Sequence, residues 1–402
     1  MKVLHISYTD SGGAGLCCLR IHKSLLEQGV DSKVVVFEKK TDLPEVYQYG
    51  SKVVVFIYKV ISKLFAIAGM NITMRSKVLA MVKKNGGAYS SPLSPIDLTK
   101  CSLVEWADII HLHWVNFYLD YPTFFGKVRK PMVWTLHDEN LFCGAAHYTR
   151  DVFPNNKTEK YLTSLKTELI GSIDNIGIVF LSEYMHSTFH NYPIVNNKRQ
   201  VVINNSVDGS KFHLYDKQAM RRQYDIPQSK IVVAFLAFEI FDPRKGLKAL
   251  VGALQSRRDF DKFLILAIGG NFYNEQIPPM VKAVGRVNDS EELSRLLCCS
   301  DFFAMPSYQE GFAQSPMEAM ACGLPVVAFP CSGTSELINE SNGIICRDFT
   351  QSALEEGVER LLSRDYDAKK IRDYITSNFA PKVIAMKYMS LYSELLSTTL
   401  NT

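Results

Sequence analysis

The sequence has no G-x-x-x-x-G-K-[ST] phosphate loop, no G-x-S-x-G elbow and no C-x-x-C pair. The first absence excludes P-loop nucleotide hydrolases and the second the α/β-hydrolase serine enzymes. The third removes thioredoxin-like redox chemistry and paired-cysteine zinc folds. Excess charge of one sign is also lacking. Forty-five Lys and Arg stand against 41 Asp and Glu, a net charge of +4. No basic cluster interleaves with aromatics, so nucleic acid is not an expected partner. The start, "MKVLHISYTD", has no charged n-region and apolar h-region of a secretory signal, and the expected location is cytoplasmic. The nine cysteines are scattered, which fits reduced thiols in that compartment.

What is present is a soluble-protein composition, 47% hydrophobic over 402 residues, long enough for two domains. Apolar runs such as "KVLHIS", "SKVVVF", "MVWTLH", "IVVAFLAF" and "FLILAIGG" alternate with amphipathic stretches along most of the chain. Continuous Val/Ile/Leu runs are what parallel strands covered on both faces require. The pattern predicts an α/β protein with two Rossmann-like, doubly wound domains. The polar stretch "NNSVDGSKFH" marks the boundary, giving 1–205 and 206–380, followed by a C-terminal helix over 381–402 that packs back toward the first domain.

Residues 51–84 break the alternation. They contain no acidic residue but carry Lys52, Lys59, Lys63, Arg75, Lys77, Lys83 and Lys84. Lys59 and Lys63 interrupt the apolar run, which excludes a spanning helix. Two readings fit: a helix lying in a membrane interface beside anionic lipid, or a buried helix whose lysine tails reach solvent. The missing acids favour the first.

Four stretches could carry chemistry. "SYTDSGGAG" places Gly12, Gly13, Ala14 and Gly15 between a strand and a helix, where backbone can approach an anion. Its spacing is not G-x-G-x-x-G, which argues against a dinucleotide cofactor. "WTLHDENLF" puts His137 and Asp138 at the carboxyl end of a strand, where ligands of open α/β sheets bind. "FDPRKGLKAL" puts Arg244 and Lys245 at a helix entrance, a position that oppositely charged ligand must compensate. "EGFAQSPMEAMACGLPVV" joins Glu310 to Glu318. By local rules Ser315, Pro316 and Glu318 form a capping box, Gly311 supplies an unusual backbone angle, and Gly323 stops the helix. His111 and His113 share one strand face, but no third ligand stands at metal spacing, and no metal is expected.

In this order the four stretches resemble glycosyltransferase family 4, retaining enzymes of GT-B architecture, in the branch that builds bacterial surface polysaccharides. The resemblance covers nearly the whole chain outside about residues 38–100. It implies two domains facing across a cleft and transfer of a sugar from a UDP- or GDP-linked donor to a lipid-linked oligosaccharide. Lipopolysaccharide O-antigen, capsule or exopolysaccharide would be the product, made at the inner face of the cytoplasmic membrane. No cofactor or metal is implied. Arg244 and Lys245 would hold the diphosphate, and Glu310 would face the transferred sugar. The N–H groups of Gly311, Phe312 and Ala313 would meet sugar or phosphate oxygens. Glu318 would take the ribose, His137 the donor sugar, and Gly13 and Ala14 would wall the diphosphate. A soluble-acceptor transferase and, less favoured, a sugar-nucleotide epimerase are the alternatives.

Overall fold

A computed structural model describes residues 1–67, 73–85, 88–153, 155–271 and 274–400. The chain forms two compact units, Met1–Asn204 with Ile384–Thr402, and Asn205–Val383.

The first unit is built on a seven-stranded parallel sheet in the order β3-β2-β1-β4-β5-β6-β7. Its strands are β1 (Lys2–Thr9), β2 (Asp31–Glu38), β3 (Val46–Gln48), β4 (Ile109–Leu112), β5 (Met132–Leu136), β6 (Ile176–Phe180) and β7 (Arg199–Val202). The second unit has six, β8 (Ile231–Glu239), β9 (Phe263–Gly270), β10 (Val281–Gly285), β11 (Phe302–Met305), β12 (Val326–Ala328) and β13 (Gly343–Ile345). Their order is β10-β9-β8-β11-β12-β13. In each sheet the order reverses beside the unit's first strand, between β1 and β4 and between β8 and β11. Such a switch point opens a crevice at the carboxyl ends of the strands. β3 is the one strand the apolar runs do not signal. It is a three-residue edge strand in which only Val46 is buried, so it is too short to leave an apolar run.

One face of the first sheet packs Val3, Ile109, Val133 and Val179 against Ile21 and Leu25 of helix α1 (Gly12–Glu27) and against Ile384, Leu391 and Leu395 of the final helix Pro381–Leu400. That helix is also held by polar contacts. Tyr392 Oη lies 2.6 Å from His111 Nδ1, and Tyr388 Oη lies 2.9 Å from Thr135 Oγ1.

The acid-free segment forms two helices, α2 (Lys52–Ile67) and α3 (Met74–Asn85); residues 68–72 and the side chains of Lys83 and Lys84 lie outside the described part. α2 turns Val55 and Ser62 inward. Val53, Phe56, Ile57 and Leu64 face solvent, each at least half exposed. At 100° per residue Lys52, Lys59 and Lys63 line one edge of this apolar face. Lys39, Lys40, Lys52 and Lys59 line a groove between the end of β2 and α2. The helix is therefore not buried with only its lysine tails outside; it is apolar outward. No described helix is long and apolar enough to cross a membrane.

Candidate functional site

In the second unit the carboxyl ends of β8 and β11 bring two loops together. After β8, Pro243–Lys245 form a single 3-10 turn capped by Asp242, whose carboxylate accepts from the Arg244 N–H at 2.9 Å. Gly246 then adopts φ 78°, a left-handed conformation, before the helix Leu247–Gln255. A Cβ on Gly246 would lie 2.0 Å from the Pro306 carbonyl oxygen of the β11 loop, so the two loops meet backbone to backbone. The Tyr308 N–H donates to the Arg244 carbonyl at 2.9 Å, which tightens the same junction.

This junction sets a charge cluster. Lys245 Nζ lies 2.6 Å from Glu310 Oε1, and Arg244 Nη1 lies 3.2 Å from the same oxygen. Arg244 also donates to the Gln309 carbonyl at 2.8 Å and pairs with Asp242 at 3.4 Å. Burial by itself would raise the Glu310 carboxyl. The Lys245 ammonium and the Arg244 guanidinium outweigh it and hold the group below its ordinary value. Two cations thus meet on one carboxylate oxygen, and Asp242 stands against Arg244 as a second counter-charge, so the four groups balance as they stand.

Gly311, Phe312 and Ala313 follow as a buried segment leading into the helix Gln314–Ala321. Asn205 Nδ2 donates to the Phe312 carbonyl at 3.0 Å and holds its course. Two local expectations are corrected here. The helix N-cap is Ala313, with no side-chain cap, so Ser315 and Pro316 lie within the first turn and Glu318 in the second. Proline is tolerated there because first-turn N–H groups have no intrahelical partner anyway. Glu318 is a buried carboxylate, 8% exposed, and not the closing half of a capping box. The left-handed glycine that shapes the site is Gly246 rather than Gly311. Gly323 does stop the helix, at φ 78°.

In the first unit, Gly13 and Ala14 lie in the opening turn of α1, directly after β1. A Cβ on Gly13 would meet nothing within 4 Å, so its backbone faces open space. Gly15 differs: its Cβ would lie 2.6 Å from the Thr9 carbonyl oxygen, so this glycine serves helix–strand packing and not a ligand. His137 follows β5. Its Nε2 lies 3.0 Å from His113 Nδ1. Asp138 is fully engaged, with His147 Nδ1 at 2.6 Å, Trp114 Nε1 at 3.0 Å and the Asn140 N–H at 3.0 Å. Thus Arg244, Lys245 and Glu310 are in mutual contact, with Gly311–Ala313 next in the chain and Glu318 on the helix they lead into. His137, Gly13 and Ala14 belong to the other unit.

Residues 216–378 match the family model described as Glycosyl transferases group 1. A Campylobacter jejuni relative, N,N'-diacetylbacillosaminyl-diphospho-undecaprenol alpha-1,3-N-acetylgalactosaminyltransferase, is 26% identical over 54% of this chain and 60% of its own length. The chain thus spans less than two thirds of that relative. GDP-mannose:cellobiosyl-diphosphopolyprenol alpha-mannosyltransferase of Xanthomonas campestris is 25% identical over 71% of this chain and 73% of its own. Among solved structures, Anabaena HepE in complex with UDP superposes with a TM-score of 0.67 at 16% identity, covering 98% of this chain and 100% of that one. The fold is GT-B.

The sequence showed His111 and His113 on one strand face; what it did not show in this GT-B chain is that His5 and His113 line up behind His137. His5 on β1 pairs in register with His111 on β4, and His113 and His137 continue along the same sheet face. The signal was a histidine inside an otherwise apolar strand, but its partners are over a hundred residues away. Burial drives His5, His111 and His113 well below the ordinary imidazole value and His137 down to about 4. These folded values lie below the unfolded value of about 6.5. Between the two, the unfolded chain binds protons that the folded unit does not, so stability is full above that window and is lost as pH falls through it. The thermal midpoint of the first unit is expected to drop steeply from about pH 6.5 to about pH 4.5. A midpoint unchanged over that range would contradict the buried neutral rings.

Proposed function

We propose that this chain is a retaining, family 4-like glycosyltransferase that moves a sugar from a UDP- or GDP-linked donor to a lipid-linked oligosaccharide during bacterial surface-polysaccharide synthesis. The observation that carries the reading is the convergence of Lys245 and Arg244 on Glu310 at the switch point of the second sheet. In this reading the donor's diphosphate enters the positive field of the two cations and draws them from Glu310. The bond from C1 of the sugar to the diphosphate oxygen breaks, and the acceptor oxygen bonds to C1 on the same face. The acceptor's proton goes to the departing phosphate oxygen. Lys245 and Arg244 stabilise the charge that develops there, the part a metal ion plays elsewhere. Glu310 meets the sugar, the 311–313 backbone its oxygens, and Glu318 the ribose. His137 is proposed to donate to the sugar, with Gly13 and Ala14 walling the diphosphate.

The acceptor class rests on two supports. The relatives named above carry diphospho-undecaprenol and diphosphopolyprenol in their names. The second support is α2, whose outward Val53, Phe56, Ile57 and Leu64 beside a lysine edge suit an anionic lipid surface. The protein is proposed to work on the cytoplasmic face of that membrane.

The deciding assay supplies UDP- and GDP-sugars with a polyprenyl-diphosphate-linked acceptor. Nucleotide release that requires the acceptor is expected. Conversion of the nucleotide sugar without an acceptor would favour an epimerase. In vesicle flotation the native protein should float with anionic vesicles, and a Lys52→Glu, Lys59→Glu, Lys63→Glu variant should stay below. A native protein that never floats would point to a soluble acceptor. Glu318→Gln should keep the stability within about 1 kcal/mol of native, yet weaken nucleotide binding about tenfold. Ligand-induced thermal shift reads this, since ligand at 100 times Kd contributes about 2.7 kcal/mol. Unchanged affinity would remove Glu318 from the ribose site.

A further inference from the structure

The buried histidine row has a consequence for the His137 ring. His5 Nδ1 lies 3.0 Å from His113 Nε2, and His113 Nδ1 lies 3.0 Å from His137 Nε2. A neutral imidazole has one N–H and one lone pair, and each of the two gaps needs one proton. If His5 donates to His113, the His113 proton must sit on Nδ1 and be donated to His137. The His137 proton must then also sit on Nδ1. Reversing one link reverses the other. The row therefore has two arrangements: all three rings protonated on Nδ1, or all three on Nε2. Desolvation keeps the rings neutral at physiological pH, so a third arrangement with an extra proton is disfavoured.

The inner end of the row discriminates between the two. His5 is fully buried, and its Nε2 has no hydrogen-bond partner among the described residues. A proton there would be an orphaned buried N–H, the rarer and costlier defect; a bare lone pair is cheaper. The nearby sulfur, Cys18 Sγ, lies within 4.8 Å of ligand atoms of His5 and His113; a thiol is only a weak donor and a weak acceptor, so it stands in for a full hydrogen-bond partner with neither form. At the outer end, His137 is only partly buried, and its contact to His113 uses Nε2, so Nδ1 is the nitrogen the row does not use. His111 stands apart from the row, since its two nitrogens are taken by Tyr392 and Thr135.

We propose that His5 and His113 are positioning residues that hold His137 as its Nδ1–H tautomer, so that the ring offers a donor, and not an acceptor, to a ligand oxygen. A sugar hydroxyl or a phosphate oxygen would satisfy that donor. The ligand part of this inference rests on the transferase reading; the tautomer part does not.

The test is long-range proton–nitrogen correlation spectroscopy on the full-length protein labelled with 15N-histidine, at neutral pH without ligand. Rings are assigned through single-histidine variants. The expected result is a protonated Nδ1 and a bare Nε2 for each of His5, His113 and His137. A proton on Nε2 of any of the three overturns the proposal. In His113→Gln the amide can reach the former Nε2 position but leaves the Nδ1 position empty. There His137 should relax toward the Nε2–H form that imidazole favours in water, and transfer should fall about three- to tenfold. An unchanged His137 pattern in this variant would also overturn the proposal. If the variant does not fold, the native spectrum still decides. Stoichiometric zinc in the isolated protein, held by His5, Cys18 and His113, would overturn it as well, because the metal would take a nitrogen the row needs. A native protein with the expected spectrum that transfers no sugar would sink the transferase reading and leave the tautomer assignment standing.

Discussion

Lys245→Ala should slow sugar transfer about 10²- to 10³-fold, through kcat more than KM. Lys245 and Arg244 are the two cations on Glu310, and Lys245 makes the shorter contact, 2.6 Å against 3.2 Å. In the proposed reaction negative charge grows on the leaving diphosphate only as the C1–O bond breaks. A contact that strengthens with that charge lowers the barrier more than it tightens substrate binding. Removing one preorganised contact of this kind costs about 2.7–4 kcal/mol of barrier. Stability should change little, because Glu310 keeps Arg244 as its partner and is not left as a lone buried charge. Steady-state kinetics with donor and acceptor, beside a thermal melt, make the check. Full transfer by a folded Lys245→Ala protein would remove this residue from the reaction.

Gly246→Ala should damage both stability and activity. The residue stands at φ 78°, and an added Cβ would fall 2.0 Å from the Pro306 carbonyl oxygen. No flexible side chain can give way, since the obstacle is backbone. Strain of this kind costs about 3 kcal/mol or more, roughly 6–12 °C in the thermal midpoint for a unit of this size. Relief requires the β8 and β11 loops to part, which would also break the Lys245–Glu310 contact. Gly13→Ala is the matched control. Its Cβ meets nothing within 4 Å, and its stability should stay within about 0.5 kcal/mol. A Gly246→Ala protein with native stability and native transfer would show that the loops do not need this approach.

The sequence was most legible where one physical requirement acts on neighbouring residues. Parallel strands covered on both faces need unbroken apolar runs, and twelve such runs became strands; the three-residue β3 is too short for such a run and left no trace. The basic pair before a glycine was readable as a place that needs counter-charge, because cations at a helix start are unfavourable; that Glu310 and Asp242 supply it was not. The Ser-Pro-Met-Glu run misled. Its residue types suit a capping box, but the box needs Ser315 outside the helix in an extended conformation, and the turn from extended to helical backbone falls earlier, at Ala313 with φ −69° and ψ 135°. The outward face of α2 was half legible. Composition supplied the lysines and the missing acids, and packing decided which apolar residues stayed uncovered.

By itself, then, the sequence determined the alternation of strands and helices, the two parallel sheets, and the kinds of group available at the strand ends, because each depends on local periodicity and residue chemistry. Only the tertiary structure decided which of those groups meet. Lys245 and Glu310 are separated by 65 residues, and His5 and His113 by 108. A hydrogen bond or buried ion pair exists only within about 3 Å, a distance that strand order and backbone contact set and that spacing along the chain does not encode.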